Sequence, residues 1–115
     1  MRKSLNEVLT EMINSIGITE NASGLYHGNA KEYAVFRTNT RPTEFADDIG
    51  EDEEIRVEIH YVAPYEKNIL ETRKNIRRGI KDTFRQSAEE TEASDEYAQY
   101  FIYEFSVQEG EAWQD

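Results

Sequence analysis

The alternation of apolar and polar residues is most regular in the stretch 54–86. From Ile55 to Tyr61 apolar and polar side chains alternate strictly, a pattern that is typical of a strand with one buried face. The alternation breaks at Pro64, and the segment 66–86 then has the periodicity of an amphipathic helix. The apolar stripe of that helix consists of Ile69, Ile76, Ile80 and Phe84. The stretch therefore predicts a strand that leads directly into a helix.

Another helix is predicted at the beginning of the chain. Ser4 and Glu7 have the spacing of a capping box, in which each side chain accepts a backbone N–H of the first turn. Apolar residues then recur at helical spacing up to Ile16, and Gly17 follows as a helix stop. The apolar positions are Leu5, Val8, Leu9, Met12, Ile13 and Ile16.

Two further strands complete the predicted fold. Segment 33–38 is aromatic and β-branched, and segment 97–107 carries apolar residues on both parities, which predicts strands. A short edge strand is expected near 25–27, and the residues at 39–42 are typical of a turn. The order helix, strand, strand, helix, strand predicts one α+β domain over 1–115, an antiparallel β-sheet with two α-helices packed on it.

Acidic segments lie between and after these elements. The connection 39–54 is long for a hairpin, and we expect a flexible, solvated loop because its many like charges repel one another. Its carboxylates are Asp47, Asp48, Glu51, Asp52, Glu53 and Glu54. A second acidic linker spans 87–96. The acidic tail 108–115 is expected to fray unless it is tied down, and its Trp113 is either an interface anchor or an incidental exposed side chain.

The charge distribution sets the second helix apart. The net charge of -11 argues against a general nucleic-acid-binding protein, because a phosphate contact needs net positive charge. More than half of the Lys and Arg residues nevertheless lie between Lys67 and Arg85. This basic face is either solvated and balanced by nearby acidic loops, or it pairs with the acidic segments of an identical neighbour. The candidate interface residues are Lys74, Arg77, Arg78, Lys81 and Arg85.

The chain lacks the motifs of known catalytic and cofactor sites. It has no cysteine, and His27 and His60 lie on a predicted loop and a solvated strand face without metal-ligand spacing. No nucleophile elbow, phosphate loop or dinucleotide fingerprint is present. We therefore expect no metal, no cofactor and no enzymatic activity. No apolar run approaches the ~20 residues that span a bilayer, so we expect a soluble protein that is intracellular when made.

The order of elements and several stretches resemble the tail-terminator or tail-completion proteins of long-tailed bacteriophages and prophages. The resemblance covers about residues 5–107. The segments that carry it are the opening helix ending in Gly17-Ile18, then 33–36, 45–47, the strand 55–61, the helix 65–84 and the closing strand 100–105.

The resemblance implies a structural virion protein, a minor tail protein that joins head and tail. Proteins of this family form a hexameric ring that caps the tail tube, halts its polymerisation and offers a surface to the head connector. On this expectation the basic helix meets acidic residues of the next subunit, and the loop 39–54 faces a channel, where its negative charge keeps passing DNA from sticking. The implied partners are further copies of the chain, the tail tube protein and a head-connector or head-closure protein. The implied location is the host cytoplasm during assembly and then the tail or neck of the virion.

Two alternative functions stay open at this point. The protein could belong to another layer of the neck, as a head-completion protein. It could also be an acidic inhibitor or DNA mimic that binds a basic host protein, which the net charge of -11 favours. The dense basic helix argues against the mimic, since a protein that imitates the negative charge of phosphate does not need concentrated positive charge.

Overall fold

The computed structural model describes residues 4–41 and 54–108, and in this part of the chain two helices accompany a five-stranded sheet. The elements are α1 (Leu5–Ile16), β1 (Asn21–Ser23), β2 (Tyr33–Arg41), β3 (Glu54–Ala63), α2 (Leu70–Phe84), β4 (Glu89–Glu92) and β5 (Gln99–Gln108). The predicted α+β class is confirmed.

The first helix begins and ends as its sequence predicts. The Ser4 hydroxyl accepts the backbone N–H of Glu7 at 3.2 Å, and the Glu7 carboxylate accepts that of Ser4 at 2.9 Å. The capping box is therefore formed. Gly17 ends the helix with a φ of 108°, a left-handed conformation that glycine adopts readily because it has no Cβ. The helix buries Val8, Leu9, Met12 and Ile13.

The sheet has the strand order β1-β2-β3-β5-β4, so β3 lies at its centre. β3 pairs antiparallel with β2, from Val62 opposite Tyr33 to Glu54 opposite Arg41, and antiparallel with β5 over its whole length. β4 is also antiparallel to β5, whereas β1 runs parallel to β2. The sheet is therefore mostly antiparallel, with one parallel pair that the sequence pattern did not predict.

Both helices contribute to one core on a single face of the sheet. Tyr61 of β3 and Tyr103 of β5 are the largest side chains that are fully buried in it. The helices meet at Gly79, where an added Cβ would lie 3.2 Å from Cγ of Met12. Glycine in a helix costs about 1 kcal/mol relative to alanine. In return for this cost, the absence of a side chain at Gly79 permits the close approach of α1 and α2.

The opposite face of the sheet has no helix on it in the described part of the chain. Val35 and Val62 are nevertheless buried there, outside the main core. The loop between β1 and β2 crosses this face, and its Tyr26 stacks on Tyr33 with 4.3 Å between ring centroids. A cavity of about 220 Å³ remains between loop and strands, with the exposed Leu25 on its border. The face predicted to be solvated is thus half covered.

Several strand boundaries differ from the sequence predictions. Residues 39–41 continue β2 instead of forming a turn, because each of them pairs with β3. The short edge strand lies at 21–23 rather than near 25–27, and its partner is β2. The acidic linker 87–96 contains a strand, β4, which pairs with β5.

Both α2 and β5 begin later in the chain than predicted. The carbonyl of Pro64 accepts the backbone N–H of Lys67 at 3.1 Å, so a turn precedes the helix, which begins at Leu70. The Asp95 carboxylate accepts the backbone N–H groups of Tyr97 and Ala98. That turn delays the last strand to Gln99.

Candidate subunit interface on the second helix

The solvent-facing side of α2 and its C-terminal end carry four exposed cations. Lys74, Arg78 and Lys81 follow one another at intervals of four and three residues, a spacing that places them on one face of an α-helix. Arg85 is the residue that caps the end of the helix. All four are exposed, and none forms an ion pair with the described part of the chain. Arg78 donates one hydrogen bond, to Oδ1 of Asn75 at 3.3 Å. We call these four residues the basic stripe, which is about 16 Å long at the rise of an α-helix.

The orientation of the stripe follows from the amphipathic pattern of α2. Ile76, Ile80 and Phe84 are buried on the opposite side of the helix, and the Phe84 ring lies 5.1 Å from that of Phe105 on β5. Burying one such side chain stabilises the fold by roughly 1.5–3 kcal/mol. Rotating the helix to hide the stripe would expose these side chains, so the four cations are fixed toward solvent.

Arg77 points away from the stripe, toward β4. Its Nη1 donates to Oε2 of Glu90 at 2.9 Å, and Arg73 donates to both carboxylate oxygens of Glu90 at 3.0 Å. The hydroxyl of the buried Tyr103 donates to the same carboxylate at 2.5 Å. Of the five predicted interface residues, four therefore form one exposed surface, and Arg77 belongs to an intrachain network.

The Glu90 network joins β4, α2 and β5. Burial acting alone would raise the pKa of Glu90, but the hydrogen bonds from Arg73 and Tyr103, together with the charges of Arg73 and Arg77, outweigh burial and lower that pKa. Burial first, and the bond to Glu90 second, raise the pKa of Tyr103. Arg73 also lies over the ring of Phe101, 4.1 Å from its centroid, in a cation–π contact. Sequence reasoning missed this network, because Glu90 is one acid among several in the linker 87–96.

The predicted acidic loop falls mostly outside the described residues. Asp47, Asp48, Glu51, Asp52 and Glu53 all lie in 42–53, and Trp113 lies in 109–115. Glu54 is the first residue of β3, where its register partners are Arg41 and Gln108. It is therefore part of the sheet rather than of a loop.

On the half-covered face of the sheet, the His60 ring lies between two hydrogen-bonding partners. Its Nδ1 lies 2.6 Å from the Tyr100 hydroxyl and its Nε2 lies 2.9 Å from Oε1 of Glu58. Burial raises the pKa of Tyr100, although the charge of Arg37 opposes it. We interpret the arrangement as a tie between β3 and β5. Sequence parity places Glu58 beside His60, but only the strand register brings Tyr100 to them.

Neither metal-binding nor membrane-spanning features occur in residues 4–41 and 54–108. No group of three or more His, Asp or Glu side chains is placed there to hold a metal ion. No helix there combines the length and apolar character needed to cross a bilayer. Comparisons with protein-family models, with curated proteins and with solved structures give no match. The function has to be argued from the fold and its surface.

Proposed function

We propose that the protein is a structural virion protein of a long-tailed bacteriophage or prophage. It caps the tail tube as a ring of six identical copies, the number that the family resemblance implies, and one repeated contact closes the ring. The ring ends polymerisation of the tube and offers the joining surface to the head. The support is the resemblance of 5–107, together with an α+β domain whose order of elements fits it. Its partners are its own copies, the tail tube protein and a head-closure protein.

The observation that carries the proposal is the basic stripe. Four exposed cations without an ion pair in the described part of the chain stand on a protein with a net charge of -11. Placed between acidic surfaces of identical neighbours, they gain partners that the single chain does not supply. Such complementarity speeds encounter and fixes the register of two surfaces. A contact between two different surfaces of identical subunits generates a ring when the rotation closes.

The stripe also separates this function from that of an acidic inhibitor or DNA mimic. A mimic binds a basic host protein through negative charge, and a basic stripe about 16 Å long would oppose that binding. A contact between subunits requires both signs of charge, since each copy contributes one basic and one acidic surface.

The proposal is tested by measuring molecular mass in solution over a concentration series, with and without a phage tail tube protein. We expect rings, and tubes whose growth stops at a ring visible by electron microscopy. Lys81→Glu should weaken ring formation, whereas Lys31→Glu changes the net charge equally on an exposed loop residue and should not. A chain that remains monomeric at every concentration, and leaves tube growth unaltered, would refute the proposal.

A further inference from the structure

We infer that the acidic counterpart of the basic stripe is the free edge of the sheet at β4, presented by a second copy of this chain. The inference rests on the proposed function and names the contact from which the ring is built. We call Glu89, Glu92 and Glu96 the acidic edge. They lie on β4 and on the segment that leads from it to β5.

The acidic edge is exposed and its carboxylates are available. β4 is the last strand in the order β1-β2-β3-β5-β4, so no strand of the described chain pairs with its outer side. Glu89, Glu92 and Glu96 are exposed and make no ion pair or side-chain hydrogen bond within the described residues. Glu90, which lies between the first two, is fully engaged by Arg73 and Arg77. The structure thus separates one structural carboxylate from three free ones.

The bonds of Glu90 also make the acidic edge a firm surface. A four-residue strand at the border of a sheet is held by few backbone bonds. Here the bidentate bond from Arg73 and the bond from Tyr103 anchor the middle of β4 to α2 and β5. The backbone that carries Glu89 and Glu92 is therefore held in place relative to α2, which lowers the cost of ordering this surface in a specific contact.

The stripe and the edge belong to different elements of the fold, and they do not pair with each other within one chain. The stripe is on the side of α2 opposite its buried residues, and the edge borders the sheet beneath that helix. No ion pair joins the two sets in the described residues. Docking the stripe of one copy on the edge of the next uses two different surfaces, and each added copy is rotated relative to the last. A heterologous contact of this kind gives a ring when the rotation between neighbouring copies closes, and the proposed ring requires that closure.

The test reverses the charge of each surface separately and then of both together. The stripe variant is Arg78→Glu with Lys81→Glu, and the edge variant is Glu89→Lys with Glu92→Lys. Each variant should weaken self-association by at least about tenfold, the size expected when a few interface charges become repulsive. The variant that carries all four substitutions restores the complementarity and should associate within about threefold of the original chain. Mixing the stripe and edge variants should likewise give mixed assemblies.

A matched control excludes a general effect of net charge. Glu71→Lys with Asp82→Lys changes the charge as much as the edge variant does, at two exposed positions of α2 outside the edge. This control should associate at least as well as the original chain. Circular dichroism and thermal unfolding of every variant show whether a loss of association reflects unfolding. Added salt should weaken association of the original chain and of the fourfold variant alike.

The outcomes separate this inference from the proposed function. A ring that the stripe variant disrupts but the edge variant does not would overturn the edge as counterpart and leave the ring standing. A fourfold variant that fails to recover would also overturn the inference. An assembly that responds to both reversals but stops at a dimer would support the contact and refute the ring. A chain that is monomeric at low salt and high concentration would overturn both.

Discussion

Removing the Glu90 carboxylate should destabilise the fold more than removing any neighbouring carboxylate of β4. Glu90→Ala deletes the acceptor of three hydrogen bonds from Arg73 and Arg77 and of one from Tyr103. The Glu90 side chain is 19% exposed, against 28% for Arg73 and 38% for Arg77. Water therefore screens the bond to Arg77 most, and we assign the larger part of the effect to the bidentate bond from Arg73.

The magnitude follows from two contributions. Hydrogen bonds to a charged group contribute roughly 1.5–3 kcal/mol, which exposure reduces here to about half. The Tyr103 hydroxyl is buried, and leaving it without an acceptor costs roughly 1–3 kcal/mol. Glu90→Ala should thus lower the free energy of unfolding by about 2–4 kcal/mol. Glu90→Gln keeps one acceptor oxygen and should cost about 1–2 kcal/mol.

Urea unfolding followed by circular dichroism measures both losses, with Glu89→Ala as the matched control. The side chain of Glu89 forms no hydrogen bond or ion pair with the described residues, and its removal should change stability by less than about 0.5 kcal/mol. Equal losses for Glu89→Ala and Glu90→Ala would show that the network contributes nothing beyond the strand itself.

The pH dependence gives a second and independent check. The pKa of Glu90 is lowered from its ordinary value of 4.5 in the folded chain. Its contribution is therefore present above pH 4.5 and is lost as the pH falls through the lowered pKa. The stability difference between the original chain and Glu90→Gln should be constant near neutrality and shrink below pH 4.5. A difference that grows on acidification would refute the assignment of charge to this carboxylate.

Two further predictions concern the core. Burial and the hydrogen bond to Glu32 raise the pKa of Tyr61 above 10.0, and burial and the hydrogen bond to Glu90 do the same for Tyr103. The stability that these two neutral phenols contribute is therefore present below pH 10.0 and is lost as the pH rises through their raised pKa values. Alkaline absorbance titration should show these two phenols ionising only with unfolding, and a single early transition would contradict this. Gly79→Leu should cost about 1–3 kcal/mol because it overpacks the contact with Met12, whereas Gly79→Ala should stay within about 1 kcal/mol, since better helix propensity offsets the crowding. Thermal unfolding compares the two, and equal effects would mean that the helices are not closely packed there.

The long elements of this fold were predictable because local pattern and tertiary packing agree in them. Alternation located β3, and helical spacing with a capping box located α1. The missed strands have no such pattern. β1 is Asn-Ala-Ser, and β4 contains three glutamates and a threonine, of which only the threonine is a residue that strands favour. Their neighbours in the sheet define them, and no local property does.

The position of the candidate interface was predictable from the sequence, but the residues that belong to it were not. The sequence shows a basic helix, and helical spacing groups Lys74 with Arg78. It does not show that Arg77 is drawn aside, because the partner Glu90 lies on a strand that was itself missed. The sequence gives the number of charged side chains. Only those that remain unpaired within the folded chain are available for contact with a neighbour. Only the register of β4 on β5 reveals which carboxylates and cations remain.

The central position of β3 has a consequence for how the chain reaches its fold. β3 is complete at Ala63, but its second neighbour, β5, begins 36 residues later, at Gln99. Until β5 is available, one long side of β3 has no partner, and the core lacks Phe101, Tyr103, Phe105 and Val107. Contacts between distant segments slow folding, because the intervening chain must be ordered first. The sheet of a nascent chain therefore stays incomplete until β5 has been synthesised.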